Sequence, residues 1–300
     1  IIGHEFSGIV EKIGKKVKNY APHLEKGTPV TAQCVINCGY CESCKEGNFD
    51  DCMQNEERGF SIDGSMAEYA KADMRHLYSL ENLINNYGEE EIFTAGALLE
   101  PVAGVYKAIV KIAKGLTPGN NAVVIGGGPI GLSAVAVLNV IGASKIILSE
   151  PSKQRREIAR LLGANYVIDP TKGNMIQEIV SYTKNEGAEI IFEAAGVANY
   201  VYNDLEQFFK YSKQKSKLIC FGRCIKPMKV DSQTLVGTYA MLTGSHGHCG
   251  VWNEVIRLVA SKKIDPLPMI TKIIGLSDAP KYLKKLRKDK SEVKVMVKGG

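Results

Sequence analysis

Between residues 121 and 221, short apolar runs alternate with longer stretches whose apolar positions recur every three or four residues. "AVVI" (122–125), "KIIL" (145–148), "YVI" (166–168), "EIIF" (189–192) and "KLICF" (217–221) have the character of buried strands. "SKQRREIARLLG" and "NMIQEIVSYTK" between them carry the spacing of amphipathic helices. A strand, helix, strand rhythm at this spacing implies right-handed crossovers and a parallel sheet covered on both faces, an α/β fold with a doubly wound sheet. Residues 1 to about 80 read differently. "EFSGIVEKIG", "TPVTAQC" and "MAEYAKAD" are short β-type runs punctuated by glycine and proline, which predicts a compact, irregular β-domain. After about residue 250 the rhythm breaks again: "VWNEVIRLVASKK" is helical, "IDPLPMITKII" is proline-broken and extended, and a basic helix and the strand "VKVMV" close the chain. The predicted organisation is a first domain over 1–105, a sheet domain over 106–249, and a return of 250–300 to the first domain.

Composition adds limits. Apolar residues make up 45% of the 300 and charged residues 23%, which suits a globular protein of two domains. No charged-then-apolar leader opens the chain, and the apolar stretches are broken by glycine and proline before they could span a bilayer, so a soluble, cytoplasmic protein without a membrane partner is expected. The net charge of +6 could suggest a polyanion, but much of it sits in "KYLKKLRKDKSEVKVMVKGG", where lysines alternate with apolar positions as on a solvated helix face. The chain begins "IIGHEFSGIV", with no initiator methionine and already in a strand-like pattern, and reads as a fragment whose first segment is missing.

Five of the eight cysteines fall between Cys34 and Cys52. Cys38, Cys41, Cys44 and Cys52 have the spacing C-x2-C-x2-C-x7-C, which lets a chain wrap round one tetrahedral ion, eased here by Gly39 and Gly47. Clustering of this kind in a large chain favours metal binding over a disulfide framework. Four thiolates leave no open position, so this would be a structural zinc. A nucleic-acid-binding zinc ribbon is the rival reading, and the acidic run "ESCKEGNFDDC" speaks against it; no nucleic acid is expected as a partner. Cys34 lies outside the spacing and reads as a buried hydrophobe.

"VVIGGGPIG" supplies G-x-G-x-x-G as Gly126, Gly128 and Gly131, after a strand and opening a helix. The first glycine permits the turn, the second admits a pyrophosphate, and the third lets helix pack on strand. Glu150 ends the next strand run. A carboxylate there accepts from the ribose hydroxyls and repels a 2′-phosphate, which favours NAD over NADP, although Arg155 and Arg156 follow closely.

"GHEFSGIVEKIG", the four-cysteine stretch, "GSMAEYAKAD", "LLEPVAG", "GGGPIGL" and "GANYVIDP" occur in the order seen in zinc-dependent medium-chain dehydrogenases. The chain resembles that family over essentially its whole length, and is most similar to the branch of sorbitol, threonine and inosose dehydrogenases. The resemblance implies a Rossmann-type domain binding NAD, with Ile130 beside the pyrophosphate turn and Glu150 and Arg155 around the adenosine ribose. "FEAAGV" (192–197) would end the fourth strand near the nicotinamide. It also implies an incomplete GroES-like catalytic domain, a second and catalytic zinc in the cleft between domains, and a dimer or tetramer of like subunits. The catalytic ion would be held by His4 and by one of Glu5 and Glu100, the other acid orienting water or a substrate hydroxyl. The family's early cysteine ligand has no counterpart here, so the fragment itself is expected to turn over little.

Taken alone, His4 beside Glu5 is weak evidence, and Glu100 before Pro101 could be a helix-start acid. His246, His248 and Cys249 in "GSHGHCG" could mark a metal site, but equally a loop at the cofactor or at a subunit interface. The function expected is transfer of a hydride from a secondary alcohol of a polyol, sugar or cyclitol to NAD. The alternative is a zinc-free or non-catalytic relative that keeps only the structural cluster.

Overall fold

The computed structural model describes residues 1–212, 215–289 and 291–299. The chain divides into two compact units, one of Ile1–Gly104 with Gly247–Gly300 and one of Val105–His246.

The first unit contains five short strands in its opening segment: β1 (Ser7–Ile9), β2 (Pro29–Ala32), β3 (Val35–Ile36), β4 (Glu56–Glu57) and β5 (Leu77–Ser79). β1, β2 and β5 form an antiparallel sheet in which Thr31 faces Ser7 on one side and Tyr78 on the other. β3 and β4 pair separately, Val35 opposite Glu57. The strand expected over "MAEYAKAD" does not form. The amides at its start bond the beginning of the chain irregularly, Ser65 to the Gly3 carbonyl and Met66 to that of Ile2, and this register supports no regular ladder. "EFSGIVEKIG" likewise keeps only Ser7–Ile9 as strand.

The second unit carries the parallel sheet: β6 (Asn121–Ile125), β7 (Lys145–Ser149), β8 (Tyr166–Ile168), β9 (Ile190–Glu193), β10 (Lys217–Cys220) and β11 (Met241–Gly244). Their spatial order is β11-β10-β9-β6-β7-β8, every pair parallel. Helices cover both faces, so β6 and β9 are buried along their whole length, and apart from Asn121 and Glu193 at their ends they are apolar throughout. Tyr202, Phe208 and Phe209 of helix Ala198–Tyr211 pack on Val123, Ile191 and Leu218. Between β6 and β9 the winding reverses direction, and in a sheet of this kind ligands bind beyond the carboxyl ends of the strands at that point.

One buried polar network lies at the opposite, amino-terminal end of this sheet. The Glu189 carboxylate accepts from the Thr117 amide (2.8 Å), Asn120 Nδ2 (2.9 Å) and Lys217 Nζ (3.0 Å). Burial alone pushes this carboxyl up, but the three donors outweigh it and hold the group below the usual carboxylate range. A depressed folded value stabilises the fold above the ordinary glutamate pKa, and that contribution disappears as pH falls through the folded value. Glu189→Gln is therefore expected to cost about 1–3 kcal/mol at pH 7. In urea unfolding the gap to the parent should narrow below about pH 4.

Helix Leu99–Tyr106 has Glu100 and Pro101 in its first turn and runs on into a π-helical stretch, Lys107–Ile112. The run Glu91–Ile112 is long and apolar enough to cross a membrane by length and composition, but 72% of its most apolar 18-residue stretch is buried within the fold, as in a core helix. After residue 247 the chain forms helix Trp252–Ala260, then β12 (Ile270–Gly275), helix Ala279–Leu286 and β13 (Lys294–Lys298), with β12 and β13 parallel.

Candidate active site and metal centres

Cys38, Cys41, Cys44 and Cys52 converge, their sulfurs all within 4.8 Å of one another. Gly39 and Gly47 both adopt positive φ (+82° and +83°), the conformation that lets the chain fold back on itself here. Helix Glu42–Lys45 buries Cys44, and a 3₁₀ turn, Phe49–Asp51, delivers Cys52. The Cys38 and Cys44 sulfurs lie 3.9 Å apart and those of Cys41 and Cys52 3.8 Å. Four thiolates at about 2.3 Å from a tetrahedral zinc would be about 3.8 Å apart, so the set fits the ion with little movement. Backbone amides aim at the same sulfurs: Cys41 N–H donates to Cys38 Sγ and Cys38 N–H to Cys52 Sγ, both at 3.3 Å. The amide of Tyr40 chiefly draws the Cys38 thiol down to about 6, whereas burial pushes Cys44 up to about 12. Cys34 is outside the group. It is buried, donates to the Arg58 carbonyl (3.5 Å), and is pushed up to about 12 chiefly by burial.

A second group forms in the same unit. One ligand atom each from His4, Glu5 and Glu100 lies within 4.8 Å of the others. His4 and Glu5 precede β1, and Glu100 projects from the helix Leu99–Tyr106. Zinc ligands of this type stand roughly 3.3–3.6 Å apart at bond lengths of about 2.0–2.2 Å, which side-chain rotation reaches from this arrangement. The His4 ring rests against Phe60, centroids 5.0 Å apart. Glu5 is ion-paired with Lys294 of β13. Burial would raise the Glu100 carboxyl, but contact with His248, then the more distant His4 and Lys294, holds it below the ordinary range.

His248 and its supports are the residues that sequence reasoning missed. His248 Nε2 stands 3.2 Å from Glu100 Oε1, close in distance but off the line of an aligned hydrogen bond. Its Nδ1 accepts from Trp252 Nε1 at 3.2 Å. Asp50, from the turn before Cys52, accepts from the backbone amides of His248 and Cys249, each at 3.1 Å. "GSHGHCG" marks the histidine as a possible metal ligand, but nothing in its spacing points to Glu100, Trp252 or Asp50 as its partners. His246 is not part of either group.

In the other unit the glycine loop joins β6 to helix Pro129–Val140, whose N-cap is Gly128. Gly126 has φ +95°. A Cβ on Gly131 would lie 1.8 Å from the Gly126 carbonyl oxygen, whereas one on Gly128 would meet nothing within 4 Å. Ile130 is half-buried in the first turn of that helix. The buried Glu150 carboxylate takes the Gly127 amide on Oε2 (2.6 Å) and the Ser152 amide on Oε1 (2.8 Å), so it shapes the loop directly. Arg155 lies in the first turn of helix Lys153–Leu161, its amide donating to the N-cap Ser152 Oγ. Arg156 is committed elsewhere, donating to the Glu150 and Pro151 carbonyls (2.6 and 2.7 Å) and facing Asp169 at 3.3 Å. At the end of β9, Glu193 is fully buried, accepting from the Ala195 and Val197 amides, and burial raises its carboxyl.

Comparison with known proteins gives these groups a context. Residues 1–82 match the alcohol dehydrogenase GroES-like domain and residues 129–261 the zinc-binding dehydrogenase family. Scyllo-inosose 3-dehydrogenase of Thermotoga maritima is 39% identical over 299 residues, 98% of this chain and 75% of that protein. The chain belongs to the zinc-dependent medium-chain dehydrogenases. L-threonine 3-dehydrogenase of Pyrococcus furiosus is 29% identical to this dehydrogenase, over 90% of the chain and 74% of the relative. A solved structure described as an alcohol dehydrogenase from Thermotoga maritima superposes with a TM-score of 0.94 at 38% identity, covering 99% of this chain and 76% of that one. Another, described as a zinc-binding dehydrogenase from Sinorhizobium meliloti bound to NADP, gives 0.84 at 26%, covering 99% and 82%. The dehydrogenase is thus an α/β alcohol oxidoreductase acting on a small molecule, with a Rossmann-type sheet and a GroES-like domain.

Proposed function

We propose that this dehydrogenase oxidises a secondary alcohol of a polyol, sugar or cyclitol to a ketone with NAD. One zinc would sit in the four-cysteine cluster and a second at His4, Glu5 and Glu100. The observation that carries the reading is the convergence of an imidazole and two carboxylates, apart from a closed set of four thiols, in one unit. The 39% identity to an inosose dehydrogenase supports the substrate class. A bound zinc at the second site would act as a Lewis acid toward the substrate hydroxyl, and bound NAD would accept the hydride.

The chain's own residues set up that chemistry. His4 offers a nitrogen donor, Glu100 a carboxylate kept ionised, and Glu5 an acid balanced by Lys294. A zinc-free relative would have no need to gather these three groups. On the cofactor side, Gly128 leaves room for the pyrophosphate at a helix start. Each Glu150 oxygen keeps a second acceptor position for a ribose hydroxyl, and its charge opposes a 2′-phosphate. Arg156, spent on two carbonyls and Asp169, does not offset that charge, and this favours NAD despite the NADP held by the Sinorhizobium relative. The domains proposed are 1–105 with 250–300 for catalysis and 106–249 for the dinucleotide. The working form proposed is a dimer or tetramer in the reducing cytoplasm, where thiolates stay available to metal.

The test, like those that follow, uses the natural polypeptide that contains these residues: a panel of polyols and cyclitols is assayed with both dinucleotides, alongside zinc analysis. A kcat/KM at least tenfold higher with NAD than with NADP, and two zinc ions per chain, are expected. A preference for NADP of that size rejects the cofactor assignment, and one zinc per chain rejects the second metal site.

A further inference from the structure

Glu100 does not stand alone behind its proposed metal. His248 is 3% exposed, and its two ring nitrogens have different neighbours. Trp252 Nε1 can only donate, so the His248 Nδ1 it points to must be the unprotonated nitrogen, which leaves the ring proton on Nε2 facing Glu100 Oε1. The indole is itself fixed, stacked on Tyr78 with centroids 5.0 Å apart and 8° between the planes. The backbone of the loop is held from a third direction. Asp50 Oδ1 accepts from the His248 amide and Oδ2 from the Cys249 amide. Gly247 adopts φ +71° against that carboxylate, where a Cβ would lie 2.0 Å from Oδ1, so the loop fits Asp50 only with glycine there. Asp50 lies in the 3₁₀ turn between Cys44 and Cys52.

We propose that His248 is a positioning residue for Glu100, and that Asp50 anchors it to the four-cysteine lobe, so that order in that lobe sets how tightly the second metal site holds its ion. The inference rests on the metal reading of His4, Glu5 and Glu100. A carboxylate with an imidazole nitrogen 3.2 Å from one oxygen needs only a small turn of either side chain to complete that contact, and so loses less rotamer freedom on meeting an ion and presents its other oxygen in one direction. Loss of such an outer partner typically costs 10–100-fold in metal affinity. Asp50 transmits the effect without touching either ion: its removal leaves two buried amides without their acceptor and frees the loop that carries His248.

The experiment keeps zinc in the cysteine cluster, exchanges the second ion for cobalt, and reads both the dissociation constant and the ligand-field absorption. His248→Leu should weaken the second ion at least about tenfold and alter its spectrum. His248→Gln, which can return an N–H to Glu100, should recover most of the affinity. Asp50→Asn and Trp252→Phe, which preserve most of the local packing, should shift the constant in the same direction by smaller factors, and cover the case in which His248→Leu fails to fold. Cluster zinc should stay at one per chain in all four. Parental affinity and spectrum in His248→Leu overturn the proposal, as do parental values in both Asp50→Asn and Trp252→Phe if the leucine variant does not fold. His4→Ala separates the two readings: a parent without a second ion, or a second ion indifferent to His4→Ala, sinks the metal site itself. A second ion lost in His4→Ala yet unmoved by His248→Leu sinks only the positioning role.

Discussion

His4→Ala lowers kcat/KM on the best polyol or cyclitol by at least about a thousandfold and releases one of two zinc ions, while the protein stays folded. The magnitude follows from the chemistry assigned to the site. Lewis-acid stabilisation of a developing oxyanion is worth several kcal/mol, and each 1.36 kcal/mol is a factor of ten in rate. The variant removes the nitrogen donor and leaves only the carboxylates of Glu5 and Glu100, within 4.8 Å of each other. Stability should change little, because His4 is only half-buried, with Phe60 its ring contact. The neighbouring backbone keeps its own bonds, from Ser65 N–H to the Gly3 carbonyl and from Met66 N–H to that of Ile2. A melting point within about 4 °C of the parent, with cluster zinc retained, separates loss of the site from loss of the fold. Activity within threefold of the parent would remove His4 from the mechanism.

What could be read from the chain depended on how far apart its partners lie. Most of the parallel sheet was legible because its inner strands are buried on both faces, which writes a short apolar run: "AVVI" lacks only Asn121 of β6, and "YVI" is β8 residue for residue, whereas the partly exposed β11 leaves no such run. The four cysteines were legible because their spacing is local and the turns between them need glycine at positions 39 and 47. "MAEYAKAD" misled because its alternation fits a strand, but the chain start beside it bonds out of register. The approach of Glu100 to His4 and Glu5 could be suggested only by family resemblance, since it depends on where a helix meets the start of β1. Asp50 and Lys294 carried no signal, and "GSHGHCG" marked His248 only as a possible metal ligand, without pointing to Glu100. A histidine between glycines, an acid in an acidic turn and a lysine in a basic tail each have an ordinary solvent-facing reading, and only the folded chain brings them to Glu100, the histidine loop and Glu5.

The two glycines of the dinucleotide loop should fail in opposite ways when given one methyl group. At Gly131 the added Cβ would lie 1.8 Å from the Gly126 carbonyl oxygen, with backbone on both sides of the contact. Neither partner can rotate away, so helix Pro129–Val140 must lift off β6, where residues 131–138 are buried. Overpacking a core commonly costs 1–3 kcal/mol and sometimes more. For Gly131→Ala we expect about 3 kcal/mol or more, seen as an early thermal transition and loss of NAD binding together. Gly128 is the contrary case. Its φ of −70° and ψ of 179° suit any residue, and a Cβ there meets no protein atom within 4 Å. Gly128→Ala should therefore melt at or slightly above the parent temperature, because alanine restricts the unfolded chain by about 0.4–1 kcal/mol. The open space beside Gly128 is what the pyrophosphate needs, and a methyl group in it should weaken NAD at least about tenfold by calorimetric titration. Parental NAD affinity in Gly128→Ala would place the phosphates elsewhere, and a parental melting point in Gly131→Ala would mean that the helix is not seated on β6 as described.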